Sequence, residues 1–122
     1  MSSKQFMRLV EEAVAEIPPQ MAVYLENVVI DVEDMPDAET CASMELDDPA
    51  ELMGLYHGTP LTERSVEMSG QMPDRIVIYQ RNIEREARSR REIIDEVRTT
   101  VLHEIGHHFG LDEDALDDLG YG

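Results

Sequence analysis

His103-Glu104-Ile105-Gly106-His107-His108-Phe109-Gly110-Leu111-Asp112-Glu113 carries two patterns at once. Its apolar positions continue a helical stripe that starts near Arg91: Ile94, Val97, Val101 or Leu102, Ile105 and Phe109 recur at helical steps. Its polar positions fall on other faces. His103 and His107 are four residues apart, so both imidazoles share one face, a turn apart. Two imidazole nitrogens so placed reach a single ion at about 2.0–2.1 Å. Glu104 stands about 100° around the helix from His103. That direction suits a base for water on the metal better than a third ligand. His108 is offset from His107 by the same angle and reads as a packing or hydrogen-bonding residue. Gly110 is the expected stop, because glycine adopts positive φ and lets the chain turn back on the helix.

A zinc site built for chemistry takes three protein ligands and keeps a position for water. The third ligand has to come from outside the helix face. Glu113, six residues after His107, is close enough to return, and Asp112, Asp114 and Asp117 compete for the role. The same acids would suit the first turn of a following helix, where they cap free N–H groups.

Written as His-Glu-x-x-His-x-x-Gly-x-x-Glu, the stretch resembles the elongated zincin motif. The chain as a whole resembles the minimal bacterial zincin-like metallopeptidases. The similarity runs through Gly54-Leu55-Tyr56, Gly58, Pro60-Leu61-Thr62-Glu63-Arg64, Ile76-Val77-Ile78-Tyr79 and Val97 to Leu116. The resemblance implies one Zn2+ per chain held by His103, His107 and Glu113. It also implies Glu104 as the catalytic base and a peptide or protein as substrate. At the third-ligand position that family carries Asp more often than Glu. Metzincins differ in having a methionine turn after the motif. Here nine residues follow Glu113, and all eight methionines precede His103. An apolar floor is therefore expected from Leu116, Leu119 or Tyr121.

Outward from the motif, residues 4–17 read as an amphipathic helix through Phe6, Leu9 or Val10, Ala13 or Val14, and Ile17, stopped by Pro18-Pro19. Val23 to Val32 alternates as a strand, and acidic residues 33–50, with Pro36 and Pro49, read as a loop. Leu52 to Tyr56 is a short strand, 60–73 a connection, and Arg75 to Gln80 the clearest strand. Residues 82–88 suit a short helix, and Asp112 to Leu119 another. The fold expected is one α+β, zincin-like domain over 1–122. It has a small, mainly antiparallel or mixed sheet of three or four strands, packed against the N-terminal helix and the long His-bearing helix. Either Arg75–Gln80 or Leu52–Tyr56 is expected as an exposed edge that aligns an extended peptide.

The length, 122 residues, suits a single domain. A net charge of −17, from 27 acids against 10 bases, repels nucleic acid and anionic lipid. No nucleic-acid or membrane partner is expected. The charge serves solubility first and a basic protein partner second. Seven of the ten bases (Arg75, Arg81, Arg85, Arg88, Arg90, Arg91 and Arg98) precede the motif in one stretch, and the cluster at 81–91 is expected to pair with the acidic surface. The lone Cys41 excludes an intramolecular disulfide and argues against a thiolate site. No apolar run reaches membrane-spanning length, and the first residues lack the apolar core of a signal peptide, so a cytoplasmic location is the default. His57 reads as a surface residue. Tyr56, Tyr79 and Tyr121 read as core or rim, one of them a candidate oxyanion stabiliser that sequence does not select. The alternative to a hydrolase is a weak or inactive metal-binding or interaction module.

Overall fold

A computed structural model describes residues 1–58 and 74–110. Helix α1, Ser3–Ala15, opens on a reciprocal cap. The Ser2 hydroxyl accepts the Gln5 N–H at 3.1 Å, and the Gln5 side chain accepts the Ser2 N–H at 3.2 Å. Phe6, Leu9, Val10 and Ala13 form its buried face. Pro18-Pro19 ends α1 but does not lead straight into a strand. Pro19 sits at the first position of a one-turn helix, α2 (Pro19–Ala22), where a missing N–H does no harm. A 3-10 turn, Val23–Leu25, follows. Strand β1 is therefore Val28–Glu33, shorter than the Val23 to Val32 expected.

The acidic stretch after β1 is also more structured than expected. It contains helix α3, Ala38–Ser43, and a 3-10 turn, Pro49–Glu51. Its acids are partly caps: Asp37 accepts the Thr40 N–H at 2.7 Å and Asp48 accepts the Ala50 N–H at 3.0 Å. Glu45, just past α3, has φ 55, a left-handed conformation in which the Leu46 N–H still reaches the Cys41 carbonyl at 2.9 Å.

Strands β2 (Gly54–His57) and β3 (Asp74–Tyr79) complete a mixed sheet of order β1-β3-β2. β1 runs parallel to β3, with Ile30 opposite Ile76 and Val32 opposite Ile78. β2 runs antiparallel to β3, with Tyr56 opposite Ile76 and Gly54 opposite Ile78. Of the two proposed edges, Arg75–Gln80 is thus the central strand and only β2 lies at an end of the order. Ile76, Val77, Ile78 and Tyr79 are all buried, which is why β3 reads as an unbroken apolar run and not as an alternation.

Helix α4, Gln80–Glu86, follows β3 directly, and Ser89 caps the long helix α5, Arg90–His108. α5 packs on α1 and on the sheet, burying Ile94, Val97, Val101, Leu102 and Ile105. Its approach to β2 depends on Gly54. A Cβ there would stand 2.6 Å from Thr100 Cγ2 and 3.0 Å from the Val77 carbonyl oxygen. On the outer face of α5, Arg91 and Arg98 both pair with Glu16 and Asp95. Arg75 pairs with Asp31 at 2.8 Å and Glu33 at 3.2 Å. Of the cluster at 81–91, Arg91 pairs with the acidic surface in this way, and Arg75 and Arg98 add pairs from outside it. Among the described residues no helix is long and apolar enough to cross a membrane.

Candidate metal centre

The last two turns of α5 bury Val101, Leu102, Ile105 and Gly106 and turn the intervening polar residues outward. His103 and His107 are both exposed, one turn apart on a helix whose apolar face is already in the core. Glu104 is recessed between them and the sheet: its side chain is 17% exposed, against 81% for His107.

Glu104 is held from outside its own helix. Its Oε1 accepts the backbone N–H of Tyr56, in β2, at 2.9 Å. Its Oε2 lies 3.8 Å from Nδ1 of His107. Burial pushes the Glu104 carboxyl above its ordinary value, and the Tyr56 amide and the two imidazoles only partly oppose this. The result is an oriented carboxylate with raised proton affinity, beside two nitrogen donors.

The end of α5 is fixed to the sheet by an aromatic cluster. The Tyr56 hydroxyl donates to Asp74 Oδ2 at 2.7 Å. The Tyr56 ring stacks on His108 with centroids 3.8 Å apart and planes 12° apart. Nε2 of His108 lies 3.9 Å from the same Asp74 oxygen. Phe109 meets Tyr56 edge-on and packs against Tyr24. Phe109 is therefore not the end of the core stripe; it is 43% exposed and belongs to this cluster, because the helix ends one residue before it. Gly110 has φ +71, the left-handed turn expected at this stop.

Two exposed imidazoles one turn apart are a pair of nitrogen donors suited to zinc, with the recessed carboxylate beside them and not among them. Among the described residues no group of three His, Cys, Asp or Glu side chains is placed to hold an ion. Glu113 and its rivals Asp112, Asp114 and Asp117 lie outside the described residues, as do Leu116, Leu119 and Tyr121.

Other candidates are placed elsewhere. His57 lines a separate cavity with Glu33, Asp37, Arg75 and Tyr79. Tyr79 is buried there, and burial with the nearby Glu33 and Asp37 carboxylates pushes its phenol up. The Tyr56 hydroxyl is bonded to Asp74. The Thr100 hydroxyl donates to the Glu96 carbonyl of its own helix at 2.8 Å. Sequence reasoning missed Asp74 and the Tyr56 amide. Asp74 heads an apolar strand and gave no local signal. Any non-proline residue has an amide, so only the sheet order shows which one meets Glu104.

Glu104, His107 and His108 also line one wall of a cavity of about 410 Å³ whose other walls are Met44, Leu52, Leu55 and Tyr56.

A family model described as zincin-like metallopeptidase matches residues 25–122. No curated protein matches the chain. Among solved structures, a conserved hypothetical protein from Thermus thermophilus is similar, with a TM-score of 0.53 and 23% sequence identity over 89% of this chain and 94% of that one. At that identity the likeness speaks for the fold alone.

Proposed function

Since the chain belongs to the zincin-like metallopeptidase family, we propose that it hydrolyses peptide bonds with a zinc ion held by His103, His107 and Glu113. The observation that carries the proposal is the contrast at the end of α5: two solvent-facing imidazoles beside a recessed glutamate that a neighbouring strand holds in place.

When bound, zinc supplies a Lewis acid that acidifies water and polarises a carbonyl. The remaining work falls to the chain's own groups. The Tyr56 N–H fixes Oε1 of Glu104, which leaves Oε2, on the His107 side, as the oxygen that takes a proton from the attacking water. The same oxygen then returns the proton to the departing amine. In the metal-free chain, burial raises the proton affinity of Glu104 above that of an exposed glutamate. Tyr56, Asp74 and His108 act on position: they clamp the last turn of α5 to the sheet, and with it the separation of Glu104 and His107.

The test is zinc stoichiometry and affinity on untagged protein, for wild type, His103→Ala, His107→Ala and Glu113→Ala, followed by peptide cleavage by wild type and Glu104→Gln. One zinc per chain, weakened by each of the three ligand changes, is the expected result, with cleavage lost in Glu104→Gln while zinc remains. Cleavage retained by Glu104→Gln would remove Glu104 as the base. Zinc bound tightly with no cleavage by wild type would mark a metal-binding module.

A further inference from the structure

We infer that a second cavity, between α4 and the 3-10 turn Pro49–Glu51, binds an alkylammonium group: the end of a lysine side chain or of a polyamine. It shares no lining residue with the cavity beside Glu104, so the inference stands apart from the hydrolase reading.

Asn82 of α4 is one wall of this cavity, which holds about 390 Å³. The residue is fully buried. Its Nδ2 donates to the Pro49 carbonyl at 2.8 Å and to the Leu52 carbonyl at 2.6 Å. Two carbonyl acceptors fix which end of the amide carries the hydrogens, so the other end is the oxygen. That oxygen, Oδ1, has no hydrogen-bond partner among the described residues. A buried acceptor without a donor is rare in a folded chain, and a ligand or an ordered water normally meets it.

The surrounding charges specify the donor. Asp48, Glu51 and Glu86 line the same cavity, against one base, Arg85, and all four are exposed. None of the three acids forms an ion pair with a described residue, whereas Glu16, Asp31, Glu33 and Asp95 all pair with arginine. Asp48 commits Oδ1 to the Ala50 N–H at 3.0 Å, which leaves Oδ2. The two Asn82 hydrogen bonds hold the turn, and with it Asp48 and Glu51, against α4. A ligand suited to these walls is both cationic and a donor. Among the described residues no three Asp, Glu, His or Cys side chains are placed to hold one ion, so the carboxylates suit a broader group than a bare metal ion. An ammonium carries three N–H donors, enough for Asn82 Oδ1 and two carboxylates. Met53 and Ala50, both half-buried, give an alkyl stem apolar contact. The neighbouring cavity lacks this bias: Gln80 there also has an unpartnered Oε1, but Asp34 and Glu84 are matched by Arg81 and Arg85.

The experiment titrates the metal-free full chain with Nα-acetyl-lysine amide and with spermidine. NMR follows the Asn82 side-chain amide, and calorimetry gives the affinity. Both probes are expected to move the Asn82 signals, and the tighter one identifies the source as a protein lysine or a free polyamine. The Nε-trimethylated lysine amide keeps the charge but has no N–H to give at that end, and is expected to bind about tenfold more weakly. The uncharged norleucine amide should leave the signals in place. Glu51→Gln with Glu86→Gln should weaken the better probe about fivefold or more. Glu11→Gln with Glu12→Gln, the same charge change at exposed positions of α1, should not weaken it. Arg85→Gln should strengthen it. All these substitutions are at exposed positions, so folding is not at stake. Three results each overturn the inference. Equal weakening by the two double variants would assign binding to the diffuse charge of an acidic chain. Asn82 signals unmoved by either ammonium would leave Oδ1 to water. Calcium moving those signals at a lower concentration than either ammonium would make the cavity a metal site.

Discussion

Helix α5 is two different surfaces on one rod. Over its first half, Arg91 and Arg98 grip Glu16 of α1 and Asp95 of their own helix. Over its second half, His103 and His107 face solvent, His108 stacks on Tyr56, and the recessed Glu104 is held by one backbone amide. The apolar face is continuous beneath both, through Ile94, Val97, Val101 and Ile105. The core holds the helix down along its length, which leaves the outer face room to specialise. One half engages Arg91 and Arg98 in surface ion pairs and the other leaves two imidazoles facing solvent.

The largest effect expected from this contrast is on metal binding. His103→Ala or His107→Ala should weaken zinc affinity by at least about 100-fold. As exposed changes, both should leave metal-free stability within about 0.5 kcal/mol of wild type. Calorimetric zinc titration with metal-free melting curves measures both; a large loss of metal-free stability would mean that the imidazoles are structural after all.

Next comes the seam that joins this half of α5 to the sheet. Gly54→Ala should cost about 1–3 kcal/mol, because the added methyl meets Thr100 and the Val77 carbonyl and the β3 backbone has little room to give. Chemical denaturation gives the number, and an unchanged midpoint would show that β2 shifts freely.

A smaller effect follows from the raised carboxyl of Glu104. Its folded form favours the proton relative to the ordinary value of 4.5. The stability it contributes is present below that value and lost as pH rises through the higher folded one. Metal-free Glu104→Gln should therefore melt above wild type at neutral pH, with the advantage shrinking toward pH 4. The same offset at every pH would assign the change to packing.

The smallest effect is expected in the first half of the helix. Glu16→Gln leaves Arg91 and Arg98 with Asp95. A slight fall in melting temperature is expected, fading as salt is added, since exposed pairs contribute little. A large, salt-insensitive fall would make the ion pairs as important as the core.

The His-bearing helix was legible because four-residue spacing and a core stripe are both local, and β3 because a doubly covered strand is a plain apolar run. The turns at Pro19–Leu25 were not, because Val23 and Leu25 have the composition of a strand and nothing local shows that Pro19 starts a helix. Helix α3 was hidden by acids that serve as caps. Phe109 misled because periodicity does not know where a helix ends. The grip on Glu104 joins residues 48 apart in sequence and depends on strand order, which no window of sequence contains.

That grip has a consequence for how the protein tolerates change. The partner of Glu104 is a main-chain group, so the hydrogen bond itself uses no atom of the side chain at position 56, whose ring and hydroxyl act separately through His108 and Asp74. It is sensitive to alignment instead. Inserting or deleting one residue in β2 would slide the strand by a step and turn the amide at that point toward the opposite edge. The hold on Glu104 thus depends on the frame of β2 as well as on its side chains. Variation that keeps this contact should accumulate in β2 as substitutions away from Gly54 and Tyr56, with changes of length confined to the segments on either side.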